Sequence, residues 1–146
     1  MKIRYMTEAD LDQAAAIEAA CFREPWSRAL LASGLGSPWN VYLAAEAEDG
    51  RLAGYGAACV IAGEGEIQRI AVLEEFRRQG LGRKLLDAMA ASARKKGAGA
   101  MTLEVRESNE PAIKLYFSAG FRTEAQRKDY YRNPREDALI MWNRSI

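Results

Sequence analysis

Residues Glu66–Lys96 read EIQRIAVLEEFRRQGLGRKLLDAMAASARKK, and this stretch predicts the centre of the fold. Its apolar start, Ile67–Val72, is typical of a buried strand. A charged turn over Leu73–Phe76 follows. The apolar residues after the turn recur every three to four positions, which predicts an amphipathic helix. The predicted buried stripe of that helix comprises Leu81, Leu85, Ala88, Met89 and Ser92.

The turn between this strand and this helix contains Gly80 and Gly82 with arginines around them. Glycine has no Cβ atom, so the backbone there could approach a ligand closely. The first N–H groups of a helix have no intrahelical acceptor, and the helix dipole favours an anion at that end. Arg77, Arg78 and Arg83 add positive charge. The turn therefore predicts a diphosphate site, with a helix start shaped by glycine geometry alone as the structural alternative.

Composition bounds the class of protein. A chain of 146 residues predicts a single domain over residues 1–146. Its hydrophobic content of 49% and charged content of 28% are ordinary for a soluble globular protein. The net charge of +1 gives no indication of a nucleic-acid or membrane partner. Basic residues cluster only locally, at Arg77–Lys84 and Arg122–Arg135.

The chain has two cysteines, Cys21 and Cys59, and no histidine. This composition disfavours a disulfide scaffold, a histidine-based metal site and a histidine-based catalytic triad, so we predict no metal. No signal peptide or membrane-length apolar run is visible, and a cytoplasmic location is the expectation.

The remaining patterns predict a mixed α/β sheet. Further strands are expected at Ile3–Tyr5, Val41–Glu46, Leu52–Ile61, Ala100–Val105, Phe121–Lys128 and Ala138–Asn143, with a turn at Gly63–Gly65. Further helices are expected from a Thr7 cap to Phe22, from a Ser27 cap to about Ser33, and over Glu110–Ala119 with Asn109 as cap. The strand Ala100–Val105 follows a helical crossover, so it should lie parallel to Glu66–Val72.

The pattern Arg77-x-x-Gly80-x-Gly82 after an Ile-Ala-Val strand resembles the acetyl-CoA loop of the GNAT acetyltransferase superfamily. Ligands of open α/β sheets bind at the carboxyl ends of neighbouring parallel strands, which are Ile70–Val72 and Glu104–Arg106 here. If these strands splay apart, their unpaired backbone groups could bind an extended ligand with amide groups, and the pantetheine arm of coenzyme A has that form.

Two side chains are candidates for the proton transfers of acyl transfer from a thioester to an amine. Alternation along the strand places Glu104 on the face opposite Leu103 and Val105, so it could act as general base directly or through a water. The structural alternative is a solvent-facing carboxylate paired with Arg106 or a lysine. Tyr116 could protonate the departing thiolate. Its structural alternative is a core tyrosine on an apolar helix.

A narrower resemblance covers essentially the whole chain. Several motifs resemble those of ribosomal-protein-alanine N-acetyltransferases of the RimI type. In the second half of the chain they are Leu103-Glu104-Val105-Arg106, Ser108-Asn109-Glu110-x-Ala112-Ile113-x-Leu115-Tyr116, Gly120-Phe121, Tyr130-Tyr131 and Glu136-Asp137-Ala138-Leu139-Ile140-Met141. In the first part they are Glu18, Phe22 and Pro25-Trp26-Ser27. A proline common after the Ile-Ala-Val strand of that family is Glu74 or Glu75 here, and we expect a slightly different turn.

This resemblance implies a single-domain GNAT fold, with a six- to seven-stranded, mostly antiparallel sheet, a splayed central parallel pair and about four helices. It implies Glu104 as base and Tyr116 as acid. The implied coenzyme-binding residues are Ile70, Ala71, Val72, Arg77, Arg78, Gln79, Gly80, Leu81, Gly82, Arg83 and Asn109. The implied peptide-binding residues are Phe22, Trp26, Tyr130 and Tyr131, for which core or rim packing is the alternative.

The resemblance implies direct transfer of an acetyl group from acetyl-CoA, in a ternary complex, to the N-terminal amine of a small-subunit ribosomal protein beginning with Ala. An α-amine has a reference pKa of about 7.7–8.0 against about 10.4 for lysine, which suits a weak base near neutral pH. A lysine, a polyamine or another small amine as acceptor is the alternative. A non-enzymatic acetyl-CoA sensor is disfavoured by Glu104 and Tyr116, and a nucleic-acid-binding domain is the weakest option. We expect a monomer or a weak dimer.

Overall fold

Seven strands form one sheet in the computed structural model, which describes all of residues 1–146. The strands are β1 (Lys2–Tyr5), β2 (Asn40–Glu46), β3 (Leu52–Ile61), β4 (Glu64–Val72), β5 (Ala100–Arg106), β6 (Arg122–Tyr131) and β7 (Glu136–Asn143). The helices are α1 (Leu11–Cys21), α2 (Arg28–Leu35), α3 (Leu81–Lys95) and α4 (Glu110–Ser118). The order is β1-β2-β3-β4-β5-β7-β6, and only β4 and β5 pair in parallel. The predicted mixed α/β sheet is therefore confirmed.

The helices cover both faces of the sheet. α3 and α4 pack on one face, over a core that includes Leu85 and Met101. α1 and α2 pack on the other face, over a core that includes Ile17, Leu31 and Tyr55. Successive side chains of a strand point to opposite faces, so position along a strand decides which core a residue reaches. No helix in the chain is both long and apolar enough to cross a lipid bilayer.

The buried stripe of α3 differs in part from the sequence prediction. The buried residues of this helix are Leu81, Leu85, Leu86, Met89 and Ala93. Ala88 and Ser92, which the pattern placed on the stripe, are only half-buried. The helix lies with its i, i+4 row of residues 81, 85, 89 and 93 against the sheet, and that row determines which positions are covered.

Two strand boundaries also differ from the prediction. β4 begins at Glu64, inside the predicted Gly63–Gly65 turn, because residues from Glu64 onward pair with both β3 and β5. β6 runs to Tyr131 instead of ending at Lys128, because its pairing with β7 resumes at Tyr131 and Glu136 after an irregularity. The extension carries the two adjacent tyrosines to the end of an ordered strand.

An ion pair holds the start of α1 against β1. The Asp10 carboxylate accepts hydrogen bonds from Arg4 Nη1 at 2.7 Å and Nη2 at 2.9 Å. It also accepts one from the Thr7 backbone N–H at 2.8 Å, which satisfies a free donor at the helix start. The Arg4 guanidinium is the main reason that the pKa of Asp10 lies below its usual range.

The parallel contact between β4 and β5 is short. It consists of four residue pairs, from Glu64 opposite Ala100 to Ile67 opposite Leu103. A bulge follows at once: Ala58 of β3 pairs with Ile67 and Ala57 pairs with Arg69, so Gln68 is an extra residue. A bulge bends its strand and increases the local twist. β4 and β5 therefore part beyond this point, and the predicted splayed pair is confirmed.

Candidate active site

A cavity of about 780 Å³ lies where β4 and β5 part. It is lined by Cys21, Phe22, Arg23, Glu24, Gln68, Arg69, Ile70, Glu104, Val105, Arg106, Ser108, Asn109, Tyr116, Tyr130, Tyr131, Arg132, Asn133, Pro134 and Glu136. Beyond Ile67 and Leu103 the facing edges of the two strands have no strand partner. Backbone N–H and C=O groups need hydrogen-bond partners, so this gap can accept an extended ligand with amide groups.

Glu104 lies in this cavity with an exposed side chain. The alternative in which it pairs with Arg106 does not occur, because Arg106 pairs with Glu136 at 3.2 Å. Tyr130 and Tyr131 line the same cavity. The pKa of Tyr130 is raised, first by its side-chain interaction with the Glu104 carboxylate and then by burial. Glu104 thus forms no ion pair with the rest of the chain, and its carboxylate remains available to a ligand or a water.

Tyr116 meets the cavity from α4. Its ring packs at the edge of the core, with its centroid 6.1 Å from that of Phe121. Burial raises the pKa of Tyr116 to about 12 and is its only cause of shift. The phenol is therefore protonated at neutral pH and can serve as a hydrogen-bond donor. The two interpretations of this residue, core packing and cavity donor, are both consistent with its position.

The loop before α3 leaves free donors at the helix start. Gly80 has φ +76°, a left-handed conformation that favours glycine. The first helical hydrogen bond runs from Lys84 N–H to the Gly80 carbonyl at 3.1 Å. The N–H groups of residues 81–83 therefore precede the first intrahelical bond and are available to an anion.

The three arginines of this loop differ in their contacts. Arg77 Nε donates to the Val72 carbonyl at 2.8 Å, so this side chain folds back on the end of β4. Arg83 Nε donates to Asp87 at 2.9 Å, and its Nη1 donates to the Ser118 carbonyl at 3.2 Å. Arg78 is exposed and forms no ion pair, so it is the most available of the three charges. The predicted charge cluster is present, although two of its members already serve the fold.

Gly82 has a second constraint besides ligand approach. A Cβ atom at this position would lie 3.3 Å from Leu115 Cδ2 of α4, which is tighter than ordinary van der Waals contact. A Cβ atom at position 80 would meet no other atom within 4 Å, so only the φ angle of Gly80 requires glycine. The two glycines are thus needed for different reasons: backbone conformation at Gly80 and close packing of α3 on α4 at Gly82.

The residues predicted on the peptide side are only partly brought together. Phe22, Tyr130 and Tyr131 line the cavity, and the rings of Tyr130 and Tyr131 meet edge to face at 5.0 Å. Trp26 does not line it and is half-buried. Asn109 lines the cavity and also caps α4, because its Oδ1 accepts from the Ala112 N–H at 3.3 Å.

Among the backbone segments predicted for coenzyme binding, only Ile70 contributes to the cavity lining. The Ala71 side chain is buried in the core beneath α1 and α2. Val72 packs toward the α3 face, and its carbonyl accepts from Arg77. The expected role of these residues involves backbone groups, and the β5-facing edge on which such groups would act is open beyond Ile67.

The sequence patterns did not predict the roles of Arg69 and Glu18 at the site. Arg69 interrupts an apolar strand and contacts the loop after α1, where its Nη2 donates to the Glu24 carbonyl at 3.2 Å. Glu18 lies among the apolar positions of α1 and is fully buried. A charged residue within an apolar pattern was the available clue, but its partner is distant in sequence. No group of three or more His, Cys, Asp or Glu side chains is placed to hold a metal ion.

Comparisons with known proteins agree with this geometry. The acetyltransferase (GNAT) family profile matches residues 11–121. A [ribosomal protein bS18]-alanine N-acetyltransferase of Escherichia coli (strain K12) is 38% identical over 90% of this chain and 89% of its own length. The N-alpha-acetyltransferase RimI of Mycobacterium tuberculosis is 35% identical over 93% of this chain and 87% of its own length. The crystal structure of the ribosomal-protein-S18-alanine N-acetyltransferase from Escherichia coli superimposes with a TM-score of 0.88 at 34% identity, covering 99% of this chain and 94% of that one.

Proposed function

The chain belongs to the acetyltransferase (GNAT) family, and from this premise we propose that it acetylates the N-terminal amine of the ribosomal protein bS18 with acetyl-CoA. The relatives named for this reaction are similar over nearly the full length of both chains. The N-terminal residue of the acceptor is Ala by the same argument. Ribosomal proteins are made in the cytoplasm, and that is the proposed location of the enzyme.

The parting of β4 and β5 beside Glu104 is the observation that carries the proposal. The gap begins after Ile67 and Leu103, and Glu104 is the next residue of β5. A ligand whose amide groups bind the unpaired backbone groups in the gap has its inner end next to this carboxylate. The acetyl thioester of acetyl-CoA supplies the activated acyl group at that end.

The acceptor amine must lose a proton as the new N–C bond forms. Three carboxylates line the cavity: Glu136 pairs with Arg106, Glu24 accepts from the Asn133 side chain, and Glu104 lies where β4 and β5 part. We assign Glu104 as general base, taking the proton directly or through a water. A free α-amine has a reference pKa of about 7.7–8.0, so a fraction is already neutral at physiological pH and a carboxylate base suffices.

The sulfur must be stabilised as the C–S bond breaks. Tyr116 lines the same cavity, and burial raises its pKa to about 12. Its hydroxyl therefore retains its proton in the resting site and can donate a hydrogen bond to the sulfur. We assign Tyr116 as the acid that delivers a proton to the leaving thiolate. One proton leaves the amine and one reaches the sulfur, so the transfer is balanced.

The diphosphate of the coenzyme is assigned to the start of α3. The N–H groups of residues 81–83 are available there, and the exposed Arg78 adds charge. Asn109 lines the cavity at the start of α4 and is assigned to the coenzyme as well. We expect the enzyme to act as a monomer or a weak dimer.

The test is an acetylation assay with a peptide that carries the N-terminal sequence of bS18 from the same organism. We expect a single acetyl group on the α-amine, located by mass spectrometry. The matched control is the same peptide with a blocked α-amine and a free internal lysine, which should not react. Acetylation of that lysine, or reaction with small amines alone, would contradict the proposal.

A further inference from the structure

Two arginines flank the point at which β4 and β5 part. Arg69 follows the bulge residue Gln68 on β4, and Arg106 is the last residue of β5. Each side chain leaves its strand and contacts a loop that lines the cavity. These are the α1–α2 loop, residues 22–27, and the β6–β7 loop, residues 132–135. Neither arginine belongs to the set assigned above to the coenzyme or to proton transfer.

Arg69 fixes the α1–α2 loop through one hydrogen bond and two cation–π contacts. Its Nη2 donates to the Glu24 carbonyl at 3.2 Å. Its guanidinium lies over the Phe22 ring at 4.1 Å and over the Trp26 ring at 4.6 Å. A planar guanidinium that contacts two aromatic rings restricts all three side chains. Phe22, which lines the cavity, therefore takes its position from Arg69.

Glu18, on α1, contacts both Arg69 and the backbone of this loop. It is fully buried on α1, and its Oε2 lies 3.3 Å from Arg69 Nε. Its Oε1 accepts from the Trp26 backbone N–H at 2.7 Å, and the Tyr55 hydroxyl donates to Oε2. Burial, followed by this hydrogen bond, raises the pKa of Tyr55, so the phenol remains a donor. One buried carboxylate thus attracts the arginine as an ion pair, without a hydrogen bond to its Nε, and accepts a hydrogen bond from the loop backbone.

Arg106 fixes the β6–β7 loop in a similar way. Its Nη1 donates to the Pro134 carbonyl at 2.9 Å, and its Nη2 donates to the Arg132 carbonyl at 3.0 Å. Its guanidinium lies over the Tyr131 ring at 4.4 Å. An ion pair with Glu136 at 3.2 Å orients the guanidinium. The arginine therefore binds the loop backbone on one side and a cavity-lining ring on the other.

The two loops also contact each other. Arg23 Nη1 of the α1–α2 loop donates to the Asn133 carbonyl of the β6–β7 loop at 2.9 Å. Asn133 Nδ2 in turn lies 3.4 Å from Glu24 Oε1. The loops come from opposite sides of the parting strands, so their contact closes a bridge across the cavity that also contains Glu104.

We propose that Arg69 and Arg106 are paired positioning residues that preorganise the acceptor side of the site by anchoring these two loops. The proposal rests on the function proposed above, which identifies this side of the cavity as the side that binds the acceptor peptide. Loops that are already ordered bind a peptide without a further entropic cost, whereas released loops must be ordered on binding. The helix start assigned to the coenzyme lies outside both loops. The affinity of the protein for acetyl-CoA should therefore not depend on the two arginines.

The principal variant is the pair Glu18→Gln and Arg69→Met, which leaves no unpaired buried charge. Gln at position 18 can still accept from the Trp26 N–H, which favours folding. We expect the KM for the Ala-starting peptide to rise by about tenfold, with kcat within about threefold of the parent and the acetyl-CoA Kd unchanged. Arg106→Met should also raise the KM for the peptide. The ion-pair partner of Arg106, Glu136, is partly exposed to water, so it can remain charged in this variant.

The matched control is the pair Arg4→Met and Asp10→Asn, which removes another partly buried ion pair whose residues do not line the cavity. It should leave the peptide KM unchanged. A general loss of stability would raise the peptide KM and the acetyl-CoA Kd together, in the control as well, and would overturn the proposal.

Limited trypsin digestion without any substrate separates this proposal from the proposed function. Arg23 and Arg132 are exposed trypsin sites in the two loops. Cleavage after Arg23 should be faster in the Glu18→Gln and Arg69→Met variant, and cleavage after Arg132 faster in Arg106→Met. Unchanged cleavage rates in both loops would overturn the anchoring. Absence of acetyl transfer by the parent enzyme to the bS18 peptide would instead contradict the proposed function, and the digestion data would still decide the anchoring.

Discussion

Glu104 is the single side chain on which the proposed chemistry depends most. It lines the cavity and forms no ion pair with the chain. We expect Glu104→Gln to lower kcat by about 10²–10⁴-fold, the usual contribution of general acid–base catalysis, with the acetyl-CoA Kd unchanged. Steady-state kinetics and calorimetry measure the two quantities.

Glu107→Gln is the matched control for this prediction. Glu107 lies three residues further along the chain, binds Gln126 Nε2 at 3.0 Å and does not line the cavity. Its replacement should leave kcat within about twofold of the parent, as is usual for surface substitutions. Equal turnover of Glu104→Gln and Glu107→Gln would exclude Glu104 as the base.

Tyr116 permits a second test at the residue scale. Burial raises its pKa to about 12, so its neutral form is favoured by folding and its contribution to stability is lost as the pH rises above about 10 toward that value. We expect Tyr116→Phe to lower kcat with little change in Tm at neutral pH. An alkaline titration of the phenolate absorbance should show one tyrosine fewer ionising near pH 12. Unchanged kcat would remove the residue from the acid role.

At the scale of elements, the junction between β1 and α1 makes stability depend on pH. Arg4 holds the pKa of Asp10 below its usual range. The stabilisation is therefore complete above the unfolded-state pKa, about 3.9, and is lost as the pH falls through the lower folded value. Asp10→Asn should lower the free energy of unfolding by about 2 kcal/mol at neutral pH. Urea unfolding at several pH values should show this difference shrinking in acid, and a difference independent of pH would contradict the assignment.

The start of α3 gives a prediction in which packing and binding must be separated. A Cβ at position 82 would press on Leu115, so Gly82→Val should lower stability and weaken coenzyme binding together. Adding Leu115→Ala makes room for the new side chain on α4. If the backbone at Gly82 approaches the diphosphate, the double variant should recover stability while the acetyl-CoA Kd stays raised by about tenfold or more. Full recovery of affinity would mean that packing alone requires this glycine.

The elements themselves were largely predictable from sequence because their signals are local. Ser27 accepts from the Leu30 N–H at 3.1 Å and caps α2 as predicted, and Asn109 caps α4. Alternation along β5 correctly separated Leu103 and Val105 from Glu104, since the first two are buried and the third is exposed. The stripe of α3 was less accurate, because several of its faces are small or apolar and only tertiary packing selects among them.

The features that complete the site could not be predicted from local patterns. The bulge at Gln68 depends on how β3 pairs with β4, and no residue of the turn-forming classes marks it. Arg69 and Glu18 are 51 positions apart and meet only through the packing of α1 on the sheet. Trp26 was expected beside the peptide, but the structure places it outside the cavity lining, over the guanidinium of Arg69. The function of such residues depends on contacts between segments that are distant in sequence.

At the scale of the whole molecule, the sheet consists of two antiparallel halves joined by four parallel pairs. One half is β1–β4, and the other is β5, β7 and β6. A coenzyme in the gap would contact both halves. At 100 times its Kd it should raise the free energy of unfolding by about 2.7 kcal/mol. Hydrogen exchange should slow at residues 68–72 and 104–106, and protection confined to other segments would contradict the location of the ligand.

The short parallel contact has a practical consequence for engineering. Each half of the sheet is continuous in sequence, and the exposed Gly97, with φ +95°, lies between α3 and β5. Dividing the gene there would yield two polypeptides, one with the helix start assigned to the diphosphate and the other with Glu104 and Tyr116. Reassociation of the two polypeptides would restore turnover. The pair could therefore serve as a split-enzyme reporter, in which acetylation shows that two proteins fused to the fragments have bound each other.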